Sequence, residues 1–419
     1  MRHLRSRDYI AFSAYFFGLS YMWNSLHVII LPALLVELAP AAWKNTYLAA
    51  LSLAGLALAT AIQPLTGHLS DRTASRWGRR RPWILAGTLG DFVCLALVGL
   101  SGSYAMLLAA YLLLQASSNS AHSAAQGFIP DLVPATQRGL SSSAKTLADI
   151  LGLIAGGFIA GRMVGAGSPA IGLVSIAGVL ALVLAVTWLG VREDPQGPQP
   201  VAEALDPVSL LRSAFHLDRQ RFAPYAWLLL ARLLVLAGVT PIQGFAQYYL
   251  QDHLGVANPA AATGRLMVVI GVSVLLVLYP AGLLADRWGP WALNVLAALV
   301  GSLGTAGLVV VHQFWQALIL ASLVGMAMGV FMSANWALAT RLVPQEAGGR
   351  YLGLSNLATG GAGALGRLVG PLIDGVNLLL PGWGYPALFA ASTLCMWGGV
   401  AVLWRVRQAG LAHLPPGDA

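Results

Sequence analysis

The sequence predicts an all-α membrane protein: twelve transmembrane helices in two six-helix bundles, with both termini cytoplasmic. Three observations carry this. Of the 419 residues, 57% are hydrophobic and only 10% are charged, where soluble domains carry about 25% charged residues. Apolar runs of about 20 residues, the length a helix needs to span a bilayer, recur from end to end. A charged turn in the first half, Gly67-His68-Leu69-Ser70-Asp71-Arg72, returns in the second as Gly282-Leu283-Leu284-Ala285-Asp286-Arg287, with the same Gly-x-x-x-Asp-Arg spacing.

The twelve spans fall at about 9–36, 45–70, 83–102, 104–128, 142–165, 169–191, 223–250, 263–285, 291–311, 314–340, 350–376 and 383–404, numbered spans 1 to 12 below. They divide the chain into an N-terminal bundle over 1–192, a cytoplasmic linker over 193–222, a C-terminal bundle over 223–408 and a cytoplasmic tail over 409–419. The linker opens on Glu193-Asp194-Pro195-Gln196-Gly197-Pro198-Gln199-Pro200, a loop composition. It continues into Val208, Leu211 and Phe215 with Arg212 and Arg219 between them, the pattern of a short amphipathic helix lying on the membrane surface. Arg2, Arg5 and Arg7 precede the first apolar run, as in a signal peptide, but the run far exceeds a signal core of about 7–15 residues. It is expected to remain as span 1.

Orientation follows from the arginines. The inner ends hold Arg2, Arg5, Arg7, Arg72, Arg76, Arg79, Arg80, Arg81, Arg138, Lys145, Arg192, Arg212, Arg219, Arg221, Arg287, Arg341, Arg350, Arg405 and Arg407, while the outer ends hold Lys44, Arg162 and Arg265. Cytoplasmic loops of membrane proteins are the basic ones. The halves repeat in parallel. Leu132-Val133-Pro134 before Arg138-Gly139-Leu140 matches Leu342-Val343-Pro344 before Gly349-Arg350-Tyr351-Leu352. Parallel repeats of this kind place a ligand site near the bilayer midplane.

Composition excludes several classes. The net charge of +8 sits in short loops between spans and does not mark a nucleic-acid partner. Cys94 and Cys395 both fall inside apolar runs and form neither a disulfide framework nor a metal knuckle. There is no Gly-x-x-x-x-Gly-Lys-Ser/Thr loop and no His-Glu-x-x-His, so no nucleotide, metal or cofactor chemistry is expected and the chain does not read as an enzyme.

Polar residues line up on helix faces. In span 4, Gln115, Asn119, His122 and Gln126 recur at helical spacing. In span 1, Ser20, Trp23, Asn24 and His27 do the same; in span 7, Arg232, Gln243 and Gln247 share one side; in span 11, Asn356, Gly360, Gly363, Arg367 and Asp374 form a row. Span 10 offers Asn335 and Trp336 beside Met328 and Met332. Such residues either face a solute or tie helices together at about 0.6 kcal/mol each. Gly152, Gly156, Gly157 and Gly161 in span 5, and Gly353, Gly360, Gly363, Gly366 and Gly370 in span 11, are expected to pack helices closely.

Charges inside the bilayer cost about 2.5–3.5 kcal/mol each at a helix centre on the insertion scale, so they pair or face water. Asp91 in span 3 and Asp149 in span 5 are placed about two turns above the inner surface, with Arg232 and Arg367 deeper. Asp149 follows Lys145 at i+4 and is either a structural pair or a proton carrier. His27 and His122 either hydrogen-bond locally or relay protons. Asp149, His122 and Asp91 are the candidates for proton coupling.

The turn in its longer form, Ser70-Asp71-Arg72-Thr73-Ala74-Ser75-Arg76-Trp77-Gly78-Arg79-Arg80-Arg81-Pro82, together with Pro130-Asp131-Leu132-Val133-Pro134 and Gln137-Arg138-Gly139, resembles the major facilitator superfamily of transporters. Within it, the pattern is most similar to the glycoside–pentoside–hexuronide:cation symporters and the sucrose-transporter-like group. The resemblance covers nearly the whole chain. It implies a secondary active transporter that moves a small polar, sugar-like solute by alternating access, by proton-coupled symport. It also implies a monomer in the cell inner (plasma) membrane with no partners beyond solute, coupling proton and lipid.

By resemblance, Gly67, Asp71, Arg72, Arg76, Gly78, Arg79, Arg80, Asp131, Asp286 and Arg287 form an inner gate, in which Asp71 meets the N-terminal end of span 11 and Arg76 pairs with Asp131. Spans 1, 4, 7 and 10 would line a central cavity. The solute contacts are then Trp23, Asn24, His27, Gln115, Asn119, His122, Gln126, Arg232, Gln243, Gln247, Asn335, Trp336 and Asn356. One departure matters: span 2 offers Thr46, Ser52, Thr60 and Gln63 in place of the acidic cation ligands of those symporters. Two other readings stay open. An exporter of amphipathic compounds fits Trp23, Trp336, Met328 and Met332, and a non-transporting membrane receptor is the reading from another class.

Overall fold

The computed structural model describes residues 5–193, 219–342 and 348–411. Every regular element among them is helical. A bilayer offers backbone groups no water, so segments that cross it must satisfy their hydrogen bonds internally, as helices do. Among the described residues ten helices are long and apolar enough to cross: Ser6–Leu38, Ala41–Asp71, Arg81–Gly99, Arg138–Gly165, Pro169–Gly190, Ala223–Gly244, Pro259–Trp288, Pro290–Val310, Phe314–Leu342 and Gly384–Gln408. Two further long helices, Tyr104–Gln126 and Gly348–Arg367, are not among these ten. They are spans 4 and 11, whose amides, serines and glycines dilute the apolar pattern.

The chain packs as two compact units, Met1–Val201 with Val256–Val268, and Ala202–Gly255 with Val269–Ala419. Within unit 1, span 1 packs on spans 4, 5 and 6, span 3 on spans 4 and 6, and span 5 on span 6. Within unit 2, span 7 packs on spans 10, 11 and 12, span 9 on spans 10 and 12, and span 11 on span 12. Adding six to each number of the first set gives the second. The repeat read from two short motifs is therefore a repeat of helix neighbours.

Small residues set these approaches in unit 1. A Cβ at Gly152 would stand 2.5 Å from the Phe17 carbonyl, and one at Gly156 would stand 2.5 Å from that of Tyr21. Span 5 thus lies backbone to backbone against span 1, as the glycine spacing anticipated. Span 11 behaves differently. Gly366 presses on Thr240, but Gly360 opens on empty space, so its glycines do not form one packing stripe.

Two helices are less regular than the sequence implies. Span 1 widens into a π-helical stretch over Ser25–Ile30 before resuming at Leu31–Leu38. Pro32 has no N–H to continue the ladder, and just ahead of it the Leu31 amide reaches back five residues to the Leu26 carbonyl. Span 11 breaks between Gly348–Arg367 and Val369–Leu379. Arg367 and Asp374 consequently belong to different helices, a correction to the single row drawn through them. The amphipathic segment around Val208, Leu211 and Phe215, the tail beyond residue 411 and the side chain of Asn356 lie outside the described residues.

Candidate functional site

In unit 1 the polar stripes of spans 1 and 4 meet. Trp23 and His27, one turn apart, stack at 5.0 Å between ring centroids. His27 Nε2 lies 2.8 Å from the Tyr111 hydroxyl, and Gln115 Nε2 donates to that same hydroxyl at 2.6 Å. Asn119 Nδ2 donates to Gln115 Oε1 at 2.8 Å, and Gln63 Nε2 donates to Asn119 Oδ1 at 2.7 Å. The result is a continuous hydrogen-bonded ladder from span 1 through span 4 to span 2. Gly55 makes room for it, since a Cβ there would stand 2.7 Å from the Tyr111 hydroxyl and 2.8 Å from Gln115 Nε2. Tyr111 and Gln63 are essential rungs absent from the sequence-derived site. Tyr111 falls one turn before Gln115 in a mainly apolar stretch, and the sequence presents Gln63 only as one of the polar residues of span 2.

Lower on the same face, Lys145 Nζ donates to Asp149 Oδ2 at 2.8 Å and lies over the Phe16 ring at 4.6 Å. Ser20 donates to the Asp149 carbonyl at 2.5 Å, and Asn24 Nδ2 donates to the Ser20 carbonyl at 2.8 Å. His122 packs edge-on to Phe16 at 6.0 Å and its Nε2 lies 3.0 Å from Gln126 Nε2. Gln126 itself is exposed at the helix end. Asp91 is elsewhere. It is the eleventh residue of Arg81–Gly99, so it stands nearly three turns in rather than two. It is fully buried, and neither carboxyl oxygen has a hydrogen-bond partner.

In unit 2, Arg232 on span 7 joins spans 10 and 11. Its Nε donates to Thr359 Oγ1 at 3.0 Å and its Nη1 to Asn335 Oδ1 at 2.6 Å. Thr359, a single hydroxyl in a glycine-rich run, was not anticipated. The span 7 helix ends at Gly244 and a new one starts at Ala246. This break takes buried Gln247 off the helix that carries Arg232 and half-buried Gln243. Trp336 is 46% exposed while Asn335 beside it is buried. The two point apart and do not form one face.

At the end of unit 1 where spans 2 and 3 join, the charged turn is a compact network. Arg79 Nη2 lies 2.5 Å from Asp131 Oδ1 and Arg80 Nε lies 2.9 Å from Asp131 Oδ2. Arg80 also pairs with Asp71 and donates to the Ser70 hydroxyl at 2.5 Å. The expected Arg76–Asp131 pair is therefore replaced by Arg79 and Arg80, and exposed Arg76 instead lies over the Trp77 ring at 5.2 Å. The reason is Gly78. Its φ of +93° turns the chain, so Arg76 before it faces away from Asp131 while Arg79 and Arg80 after it face toward it. The N-terminal end of span 11, the expected partner of Asp71, runs into residues 343–347, outside those described.

Glu193 completes the network. Its carboxylate accepts the amides of Arg80 at 3.0 Å and Arg81 at 3.5 Å, which cap the N-terminus of span 3. Burial pushes this carboxyl above the usual glutamate range, more than the two amides and the Arg80 guanidinium draw it down, and nearby Asp131 adds to the rise. Arg81 lies 4.1 Å over the Trp188 ring and donates to its carbonyl, tying span 6 to the same turn. The second copy of the turn is built more loosely. Asp286 and Arg341 are 3.9 Å apart and largely exposed, a geometry worth about 0–1 kcal/mol. Gly289 repeats the positive φ of Gly78, at +83°.

Among the described residues no group of histidines, cysteines and carboxylates could hold a metal. The model of the Major Facilitator Superfamily matches residues 8–367. The multidrug resistance protein MdtG of Enterobacter lignolyticus (strain SCF1) is 23% identical over 366 residues, covering 85% of this chain and 81% of that protein. The sucrose transport protein SUC4 of Arabidopsis thaliana is 36% identical over 83 residues, 20% of this chain and 15% of that protein. Among solved structures, the D-xylose-proton symporter superposes with a TM-score of 0.70 at 16% identity, covering 93% of this chain and 96% of the other.

Proposed function

This chain belongs to the Major Facilitator Superfamily, a transporter rather than an enzyme, and from that premise we propose a secondary active symporter for a small polar, sugar-like solute driven by protons. The observation that carries the solute class is the ladder His27–Tyr111–Gln115–Asn119–Gln63. Amides and a phenol both donate and accept, which suits hydroxyl-rich ligands, and the Trp23–His27 stack offers a flat apolar surface to a sugar ring. In this reading the remaining solute contacts are Asn24, His122, Gln126, Arg232, Gln243, Gln247, Asn335, Trp336 and Asn356. Spans 4 and 11 complete a twelve-span fold in the inner membrane, with both termini cytoplasmic.

Proton coupling is assigned to Asp149 with His122, and to Asp91 as the buried alternative. The Lys145–Asp149 pair at 2.8 Å makes protonation of Asp149 an event that frees Lys145. The network of Asp71, Arg79, Arg80 and Asp131, with Gly67, Arg72, Arg76 and Gly78 of the same turn, acts as the inner gate together with Asp286 and Arg287 of the second copy of the turn. A second reading, an exporter of amphipathic compounds, is favoured by the similarity to MdtG along most of the chain.

Purified protein in liposomes tests both. Counterflow and pH-gradient-driven uptake of a sugar-like solute are expected, and Asp149→Asn is expected to abolish the pH-driven part while leaving counterflow. Transport of amphipathic dyes with none of the sugar panel would install the second reading in place of the first.

A further inference from the structure

We propose that unit 2 carries a subsite for a carboxylate, built on Arg232 and Asn335, and that the transported solute is therefore a monoanion. This rests on the transport reading and narrows its solute class.

Arg232 sits midway along Arg219–Gly244 and is 5% exposed. A guanidinium does not give up its proton in a protein, so the charge is permanent. Buried charges are otherwise paired with an opposite charge, yet both groups that Arg232 touches are neutral: the Thr359 hydroxyl at 3.0 Å and the Asn335 carbonyl oxygen at 2.6 Å. The described carboxylates of unit 2 are placed elsewhere. Asp252 takes the Tyr385 hydroxyl at 2.6 Å, Asp286 lies by Arg341 at 3.9 Å, and Asp374 is on the helix beyond the break in span 11. Among the described residues, no acid pairs with Arg232.

The donor count points the same way. Thr359 gives its own proton to the Ser355 carbonyl at 2.9 Å, so toward Arg232 it only accepts. Tyr225 and Ser355 satisfy each other at 2.8 Å. Asn335 spends its oxygen on Arg232, and its Nδ2, buried with the residue at 1% exposure, has no partner. The cluster is left with one unbalanced positive charge, the Nη2 of Arg232 and the Nδ2 of Asn335. That surplus complements a group with two acceptor oxygens and one negative charge. A carboxylate matches it; a phosphate dianion brings one charge too many.

There is also a way in. Thr359 is exposed, and a Cβ added at Gly360 would meet nothing within 4 Å. The glycine opens space beside the residue that holds the guanidinium.

The test is equilibrium binding to purified protein in nanodiscs, read as a saturable thermal shift. The probes are three matched solutes: a neutral polyol, its carboxylated counterpart and its phosphate ester, all at one ionic strength set with chloride. The carboxylated member is expected to bind, with Arg232→Gln and Arg232→Lys each weakening it about ten- to hundredfold, a larger loss than either variant causes for the neutral polyol. Asn335→Leu keeps the buried volume and provides a second reading should the arginine variants fail to fold; it is expected to weaken the same member selectively. Preference for the neutral polyol, equal binding in Arg232→Gln, preference for the phosphate ester, or no carboxylated binder in the series each overturns the proposal. Because no gradient is involved, binding without transport in liposomes sinks the transport reading alone. Transport of neutral solutes only sinks the carboxylate subsite alone.

Discussion

The carboxylate of Glu193 accepts the backbone amide of Arg80 at 3.0 Å, so a residue three positions past the end of the span 6 helix caps the helix that begins span 3. An anion at a helix N-terminus is worth about 0.3–1 kcal/mol, rising to about 2 when partly buried. The cap also fixes Arg80, one of the two arginines that hold Asp131, and leaves no room for a side chain at Gly78.

Glu193 gives the folded protein a pH response. Its carboxyl is raised in the folded state by burial, so the folded form binds this proton more tightly than the unfolded chain does. The cost of ionisation is therefore felt above the folded pKa and is relieved as pH falls through that pKa toward the ordinary glutamate value. Thermal unfolding of the wild type and Glu193→Gln across this window is the measurement. The wild type is expected to gain stability relative to the variant as pH falls. A constant difference between the two proteins at every pH would refute this.

Arginines 76 and 80 should differ sharply. Arg80 is 7% exposed and bonded to Asp131, Asp71 and Ser70, and removing one partner of a buried pair costs about 3–5 kcal/mol. Arg76 lies over Trp77 at an exposed site, where such contacts are worth about 0.5–1 kcal/mol. Denaturation of Arg80→Ala and Arg76→Ala in detergent is expected to show the larger loss for Arg80→Ala.

Gly55→Ala should act on the ladder from a distance. The new methyl would overlap the Tyr111 ring and crowd Gln115, and overpacking of this kind costs about 1–3 kcal/mol. Tyr111 has to move, taking its contacts with His27 and Gln115 with it. Solute affinity is expected to fall more than about tenfold, with a drop in melting temperature that Tyr111→Phe alone does not reproduce.

Asp91→Asn is expected to preserve or raise thermal stability at neutral pH. A fully buried carboxyl must either ionise without a partner or take up a proton to avoid doing so, and both are costs to the fold; the amide is nearly isosteric and uncharged. Thermal unfolding of the purified variant checks this; a large loss would mean that the acid makes a contact on which the fold depends.

The repeat and most helix positions were legible because bilayer-spanning helices advertise themselves by apolar length. Spans 4 and 11 show the limit: the residues that make them interesting, Gln115, Asn119, Thr359 and Gly360 among them, are the ones that lower their apolarity. Which arginine meets Asp131 was not legible, since Arg76, Arg79 and Arg80 are chemically equivalent on paper and a backbone φ at Gly78 chooses between them. Glu193 read as the first residue of a linker because nothing in its neighbourhood shows that a helix end lies over it. That no described acid pairs with Arg232 was equally hidden, since a sequence displays charges but not the distances between them.

The π stretch over Ser25–Ile30 has a consequence for the mechanics of span 1. A wide turn of this kind accommodates one residue more than an α-helical turn would, and one residue corresponds to about 100° of helical phase. The part of span 1 before the stretch, with Trp23 and Asn24, and the part from Leu31 onward are thus set at an angle to each other that no uninterrupted helix of this sequence would have. Deleting a single residue from the stretch would restore an ordinary helix and swing one part against the other by that full step. Span 1 is a shaft with a joint in it, and His27 sits at the joint.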